Sequence, residues 1–255
     1  MLETSERSSG VLETVGKAIE TARPVRPTLV VLTGIDGAGK TTQARLLVQS
    51  LRADGIYAQY AHLTDPNTRL TRVLKDRIAP RFLDREDEMV REGDSGERLP
   101  VRSLGGLFLV RGLWQSWITP LTVRNAHVLV LDRYLYDDLV RVGWTYDYDP
   151  GRLSALARAV PSPDLLVRLE APPEIAWERE RDGRTSPAEH AAKAAWYDTI
   201  FEELESTGTQ VSIDTHHSGV EETSERLVGL VADLLGKRRP TRETDAGARA
   251  RYSAR

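Results

Sequence analysis

Apolar and polar positions along this chain fall into blocks whose period alternates between that of a strand and that of a helix. Leu29 to Thr33 is a short, β-branched apolar run that suits a strand covered on both faces. A glycine-rich turn follows, then an amphipathic helix that ends near Ala53-Asp54-Gly55, where glycine suits the position after a helix terminus. Ile56 to Ala61 predicts a second strand and Arg69 to Phe82 has helical periodicity. Asp84 to Pro100 is dense in charge and glycine and reads as a long exposed loop, a length usually reserved for function or mobility. Leu104 to Val123 predicts a very apolar helix with Arg111 at its middle and Pro120 near its end. Val128 to Asp132 is a continuous apolar run closing on a carboxylate, as expected of a buried parallel strand. Helices are expected at Leu135 to Gly143, Arg152 to Val160, Pro172 to Asp182, Ala188 to Glu205 and Val220 to Leu235, with strands at Leu165 to Leu169 and Gln210 to Ile213. Strands alternating with helices give an α/β fold around a parallel sheet. In such sheets ligands sit beyond the carboxyl ends of the strands, which collects the glycine-rich turn, His62 to Pro66, Asp132 and the arginine-rich stretch after Leu169 at one cleft.

The ends of the chain read differently. In residues 1–27, Val11, Leu12, Val15 and Ile19 recur at helical spacing before a proline break; a short helix and a mostly mobile extension both fit. Residues 237–255 are basic and poor in apolar side chains, the composition of a disordered tail. The body between them, 28–236, is expected to be one domain.

Composition narrows the chemistry. The 255 residues include no cysteine, which excludes disulfides, thiolate catalysis and thiolate metal sites. A net charge of −3 gives no general attraction to nucleic acid or anionic lipid. The polar first ten residues lack a signal-peptide core and no apolar run approaches a membrane span, so a soluble cytoplasmic protein is expected. The five histidines have no metal-binding spacing, and Trp114 and Trp117 at i, i+3 suit a core or a subunit interface.

The turn after the first strand carries the sharpest signal. Gly34, Gly39, Lys40 and Thr41 satisfy G-x-x-x-x-G-K-[ST], a loop whose backbone N–H groups cradle phosphates. Glycines let those N–H groups point inward, and the following helix adds its N-terminal N–H groups and dipole. Gly34, Ile35, Asp36, Gly37, Ala38, Gly39, Lys40, Thr41 and Thr42 are therefore the expected ATP-phosphate contacts, with Lys40 on the β- and γ-phosphates. The Thr41 hydroxyl and the Asp132 carboxylate are placed to hold Mg²⁺. Arg133 offers a planar fork to a phosphate in transit, although an Asp-Arg pair at a strand end can also be a helix cap with a surface cation. Arg111, with Leu107 and Phe108 on its own helical face, either grips a phosphate beside an aromatic base or snorkels from a surface helix. Arg179, Arg181 and Arg184, interleaved with Glu178, Glu180 and Asp182, form either a salt-bridged face or a lid at about 178–188 that closes over phosphates.

Four stretches together resemble the thymidylate kinase family of nucleoside-monophosphate kinases. They are Gly34 to Gln43, the helix carrying Arg111 with Pro120, Asp132-Arg133-Tyr134, and Pro163-Asp164-Leu165 through Pro173-Glu174 to Arg179 and Arg181. The resemblance implies a P-loop NTPase three-layer α/β/α fold with a five-stranded parallel sheet, and a homodimeric kinase that uses ATP and Mg²⁺. It implies catalytic roles for Lys40, Arg111, Arg133, Arg179 and Arg181, and an acceptor site built from Asp36, Asp65, Leu107, Phe108, Arg111, Arg133 and Tyr134. Gly37-Ala38 stands where other members have an arginine, which resembles those whose lid arginines supply the transition-state cation.

The chain also departs from the family pattern. Thr33 replaces a glutamate, Leu63-Thr64-Asp65-Pro66-Asn67 replaces Arg-Glu-Pro-Gly, and Asp137 to Val142 replaces the base-reading Ser and Ala-Tyr-Gln. The reading is thus a kinase acting on a nucleoside monophosphate, dTMP first, without a nucleic-acid or membrane partner. Its competitors are a kinase for a nucleoside or another small molecule, and a P-loop regulatory switch that binds ATP without an acceptor.

Overall fold

The computed structural model describes residues 26–63, 101–123, 126–146, 148–180, 185–204 and 209–237, with the backbone alone at 101–104, 107 and 108. Five strands form one sheet: β1 Thr28–Thr33, β2 Ala58–His62, β3 Val128–Asp132, β4 Leu165–Glu170 and β5 Gln210–Asp214. Their order is β2-β3-β1-β4-β5, and each pairing is parallel. The three central strands are nearly continuous runs of Leu and Val, and β1 and β3 are buried along their whole length. That is the pattern of a sheet covered on both faces.

Seven helices surround the sheet among the described residues: α1 Lys40–Ala53, α2 Val101–Thr122, α3 Leu135–Tyr146, α4 Pro150–Ala157, α5 Pro173–Glu180, α6 Pro187–Leu204 and α7 Val220–Lys237. Helix α1 packs on β2, β3 and α7, whereas α3 packs against α2, α4 and α6. All the described boundaries fall within three residues of the sequence expectation. Several of the shifts have local causes. Helix α2 begins at Val101, directly after Pro100, three residues before the expected start. Helix α4 begins at Pro150 rather than Arg152, because Asp149 caps it by accepting from Arg152 N and Pro150 fills the first position. Strand β2 begins at Ala58, since Ile56 is bonded back to Leu51 O in the turn that leaves α1. Residues 1–25 of the expected N-terminal extension, the Arg69 to Phe82 helix, the 84–100 loop and the tail from 238 lie outside the described residues, while Lys237, expected in the tail, closes α7.

Two packing features position the site. In the β1–β3 register Leu32 lies opposite Asp132, and in the β2–β3 register His62 does, so the carboxylate stands at the common end of three strands. Gly112 lets α2 approach α3 closely: a Cβ there would lie 2.5 Å from Asp138 Oδ2 and 3.0 Å from Leu135 Cδ1. Among the described residues no helix is long and apolar enough to cross a membrane.

Candidate functional site

Strand β1 runs into the loop 34–39, and α1 starts on Lys40. Gly34, Gly37 and Gly39 have φ values of 138°, 81° and 89°. A Cβ at Gly34 would sit 2.2 Å from Leu169 O and one at Gly37 would sit 1.9 Å from Ala176 O, so the loop is pressed against the end of β4 and against α5. Gly39 caps α1 without a side-chain acceptor, which leaves the first-turn N–H groups aimed at an anion. The Lys40 ammonium donates to Gly34 O and Ile35 O, each at 2.7 Å, and lies 3.7 Å from Asp36 Oδ1. Burial pushes its pKa down, and the nearby Arg133 adds to that, against Asp36. A cavity of about 500 Å³ opens over the loop. Its lining includes Lys40, Thr41, Thr42, Arg133, Arg179 and Thr215.

Thr41 and Asp132 meet as the sequence predicts. Thr41 Oγ1 donates to Asp132 Oδ2 at 2.5 Å, and Tyr60 Oη donates to the same oxygen at 3.1 Å. His62 Nε2 lies 3.9 Å from it. Burial and the Asp132 carboxylate push the Tyr60 phenol up to about 12. Asp132 Oδ1 is buried and has no hydrogen-bond partner among the described residues. A hydroxyl beside a carboxylate with one oxygen unused fits a hard cation that keeps several waters and takes its other ligands from phosphates. No group of three His, Cys, Asp or Glu that could hold a metal occurs among the described residues, so an all-protein cage is not what these residues build.

Arg133 follows β3 in a left-handed conformation, φ 73°, and its N–H donates to Leu32 O at 3.0 Å. Its guanidinium bonds Asp36 Oδ1. Burial alone lifts the Asp36 pKa, but the charges of Arg133 and Lys40 outweigh it and hold the carboxyl well below the usual carboxylate range. For Arg133 burial acts downward, and Asp36 with Asp137 reverses it.

A second cavity of about 330 Å³ lies on the other side of Asp36 and Arg133. Arg111, His62, Asp138 and Lys193 also line it. Arg111 Nη2 donates to Asp138 Oδ1 at 3.3 Å. Burial raises the Asp138 carboxyl above its ordinary range, with Arg111 and Arg141 opposing. Asp137 is committed elsewhere, accepting from Tyr134 N at 2.9 Å and Tyr197 Oη at 2.7 Å.

Lys40, Thr41, Asp36, Asp132, Arg133 and Arg111 therefore come together. Tyr134 does not join them: its side chain is fully buried and its hydroxyl donates to Pro161 O at 2.7 Å. Arg179 borders the loop cavity but turns onto Thr215, donating to its carbonyl at 3.2 Å. Asp65 and Arg181 lie outside the described residues, as do the side chains of Leu107 and Phe108. Three residues facing the cavities were not expected from the sequence. Thr215 joins the end of β5 to the loop, its hydroxyl lying 2.9 Å from Glu170 O and 3.2 Å from Ala38 O. Asp138 pairs with Arg111, and Lys193 reaches in from α6. One signal existed for Lys193: it is the sole Lys or Arg in α6 and is flanked by four alanines.

Two cavities that share one arginine and one carboxylate, each lined by further cations, can hold two anionic groups side by side and bring them into line. The thymidylate kinase family model matches residues 32–227. Similar proteins include the thymidylate kinase of Xylella fastidiosa (strain Temecula1), 29% identical over 209 residues that cover 81% of this chain and 91% of that protein. The thymidylate kinase of Danio rerio is 25% identical over 227 residues, 82% of this chain and 94% of its own length. That of Homo sapiens is 26% identical over 148 residues, 57% of this chain and 61% of its own.

Proposed function

The chain belongs to the thymidylate kinase family, and on that premise we propose that it transfers the γ-phosphoryl group of ATP to a nucleoside monophosphate, with dTMP as the first acceptor. The observation that carries this reading is the shared wall: Asp36 and Arg133 line both the loop cavity and the cavity around Arg111. A binding switch needs only the first cavity. A transferase needs both, with a cation between them.

In this reading the loop 34–42 holds the ATP phosphates and Lys40 moves from Gly34 O and Ile35 O onto the β- and γ-oxygens. Arg111 and Arg133 hold the acceptor phosphate, whose oxygen attacks the γ-phosphorus while the bond to the β–γ bridging oxygen breaks. ADP and a nucleoside diphosphate are the products. Little covalent chemistry falls to the protein; its work is alignment and charge neutralisation. Thr41 and Asp132 are the residues that would hold Mg²⁺, which when bound would offset the negative charge of the phosphates. Arg179 belongs to the lid about 178–188, where release from Thr215 would let it turn toward the transferred group. The side chain of Glu180 at the end of α5 lies 2.9 Å from buried His190 of α6, a brace suited to the base of such a lid.

We read the protein as a homodimer of this kind. Val110, Trp114, Trp117 and Leu121 are exposed at i, i+4, i+7 and i+11 along α2, an apolar stripe of helical period. Light scattering should give twice the chain mass for the wild type and a lower mass for Trp114→Glu.

The function is tested by supplying ATP and Mg²⁺ with a panel of nucleoside monophosphates and identifying the diphosphate formed. ADP release that no acceptor stimulates would remove the kinase reading and favour the switch.

A further inference from the structure

Asp36 carries one negative charge and stands among three cations. Arg133 bonds Oδ1, Lys40 Nζ lies 3.7 Å from the same oxygen, and Lys193 Nζ lies 3.7 Å from Oδ2. The cations differ in place. Lys40 lines the loop cavity, Lys193 lines the cavity around Arg111, and Arg133 lines both. They form a row running from the donor side to the acceptor side, and Asp36 is the carboxylate that pairs with all three.

Lys193 is also the least satisfied of the three. Lys40 donates to two carbonyls and Arg133 has its bond to Asp36. Among the described residues the Lys193 ammonium makes no hydrogen bond within normal distance, only the 3.7 Å ion pair and a position 5.4 Å from the centroid of the Trp144 ring. Its side chain is 17% exposed, so most of its water is gone. A cation with reduced access to water and only a shared carboxylate and an aromatic face beside it is open to a stronger anion. The four alanines around it on α6 leave the long side chain room to reach past the helix surface.

We propose that Lys193 is a substrate-contacting residue of the acceptor site, its ammonium taking a phosphate oxygen of the nucleoside monophosphate while Trp144 and Asp36 Oδ2 hold it in place. The inference rests on the kinase reading above. A compact ammonium suits a phosphate oxygen, for which no planar fork is needed. A purely structural role, in which Lys193 ties α6 to α3 through Trp144, predicts loss of stability and no selective effect on the acceptor.

The full chain with Lys193→Met, Lys193→Arg or Trp144→Leu separates these roles, with dTMP as probe or the best acceptor from the panel. KM for acceptor and for ATP, kcat, the calorimetric Kd for the acceptor without ATP, and Tm are measured together. Lys193→Met should raise acceptor KM and Kd on the order of tenfold, the size of one charge-assisted contact, while KM for ATP stays within about twofold. Lys193→Arg should recover most of that loss. Trp144→Leu keeps the charge but frees it, so a smaller rise of about threefold is expected. If Lys193→Met does not fold, Lys193→Gln serves the same comparison. Unchanged acceptor KM and Kd in an active enzyme, equal rises for ATP and acceptor, or a change in Tm alone would each overturn the inference and leave the kinase reading standing. A wild type that turns over no nucleoside monophosphate overturns both.

Discussion

Arg133, 97 positions after Asp36 in the chain, reaches back from a left-handed turn at the end of β3 to bond the Asp36 carboxylate in the phosphate loop. A non-glycine residue at φ 73° costs about 1 kcal/mol or more, and such strain persists where the surroundings fix it. Here Leu32 O anchors the Arg133 N–H, and Asp36 anchors its guanidinium. The strained turn aims one cation between two cavities, which an extended residue at the strand end would not do.

Asp36→Asn keeps the shape of that link and removes its charge, leaving Arg133, Lys40 and Lys193 to repel one another. Neighbouring cations depress the native Asp36 pKa, so its ionised form contributes stability above the unfolded-state value and loses it as pH falls. The expected loss at pH 7 is about 1–3 kcal/mol. Below about pH 4 the wild-type carboxylate itself begins to protonate on unfolding, and the gap should close. Urea unfolding of both proteins at pH 7 and pH 3 checks this; a gap independent of pH would exclude the charge as its source.

Lys40→Ala should lower kcat by about 10²–10³-fold, as for removal of one preorganised charge at a transition state. Stability should hardly change. The ammonium is buried and its neighbour Arg133 is also cationic, which offsets the loss of its bonds to Gly34 O and Ile35 O. Steady-state rates together with thermal unfolding separate the two effects, and a fully active variant would end the phosphate-loop assignment.

The parts of this site legible in the sequence are those whose partners are close in the chain or fixed by a period. Gly34 to Thr41 is one local motif, and Val128 to Asp132 announces a buried strand with a carboxylate at its end. Side chains whose role depends on packing between distant elements were not legible. Tyr134 follows Arg133 directly, yet the turn that sends Arg133 outward sends Tyr134 into the core, to Pro161 O. Lys193 and Asp36 are brought together by the seating of α6 on α3, which no spacing in either segment encodes. Asp138 stood in the run Asp137 to Val142 only as a departure from a pattern; its pairing with Arg111 needs the close approach of α2 and α3.

Asp132→Asn removes a buried charge but retains an acceptor for the Thr41 and Tyr60 hydroxyls. The Mg²⁺ concentration for half-maximal activity should rise by about tenfold or more, since a hard cation loses its one fixed carboxylate. Stability should hold. A second readout is independent of turnover: the Tyr60 phenol, pushed up to about 12 partly by Asp132, should move back toward its ordinary value in ultraviolet titration. A Tyr60 titration that does not move would mean that burial alone sets it.

Gly112→Ala tests whether the acceptor side depends on the seam between α2 and α3. The added methyl would lie 2.5 Å from Asp138 Oδ2 and 3.0 Å from Leu135 Cδ1, too close for either to remain in place. Overpacking of this kind costs about 1–3 kcal/mol, against a gain of up to about 1 kcal/mol in helix propensity. The same displacement pulls Asp138 away from Arg111, so acceptor KM should rise while KM for ATP holds, because the loop cavity touches neither residue. Gly106→Ala on the same helix is the matched control: among the described residues a methyl there meets nothing within 4 Å, so the propensity gain should appear alone as higher Tm with unchanged kinetics. Equal behaviour of the two variants would show that the approach of α2 to Asp138 has no part in holding Arg111.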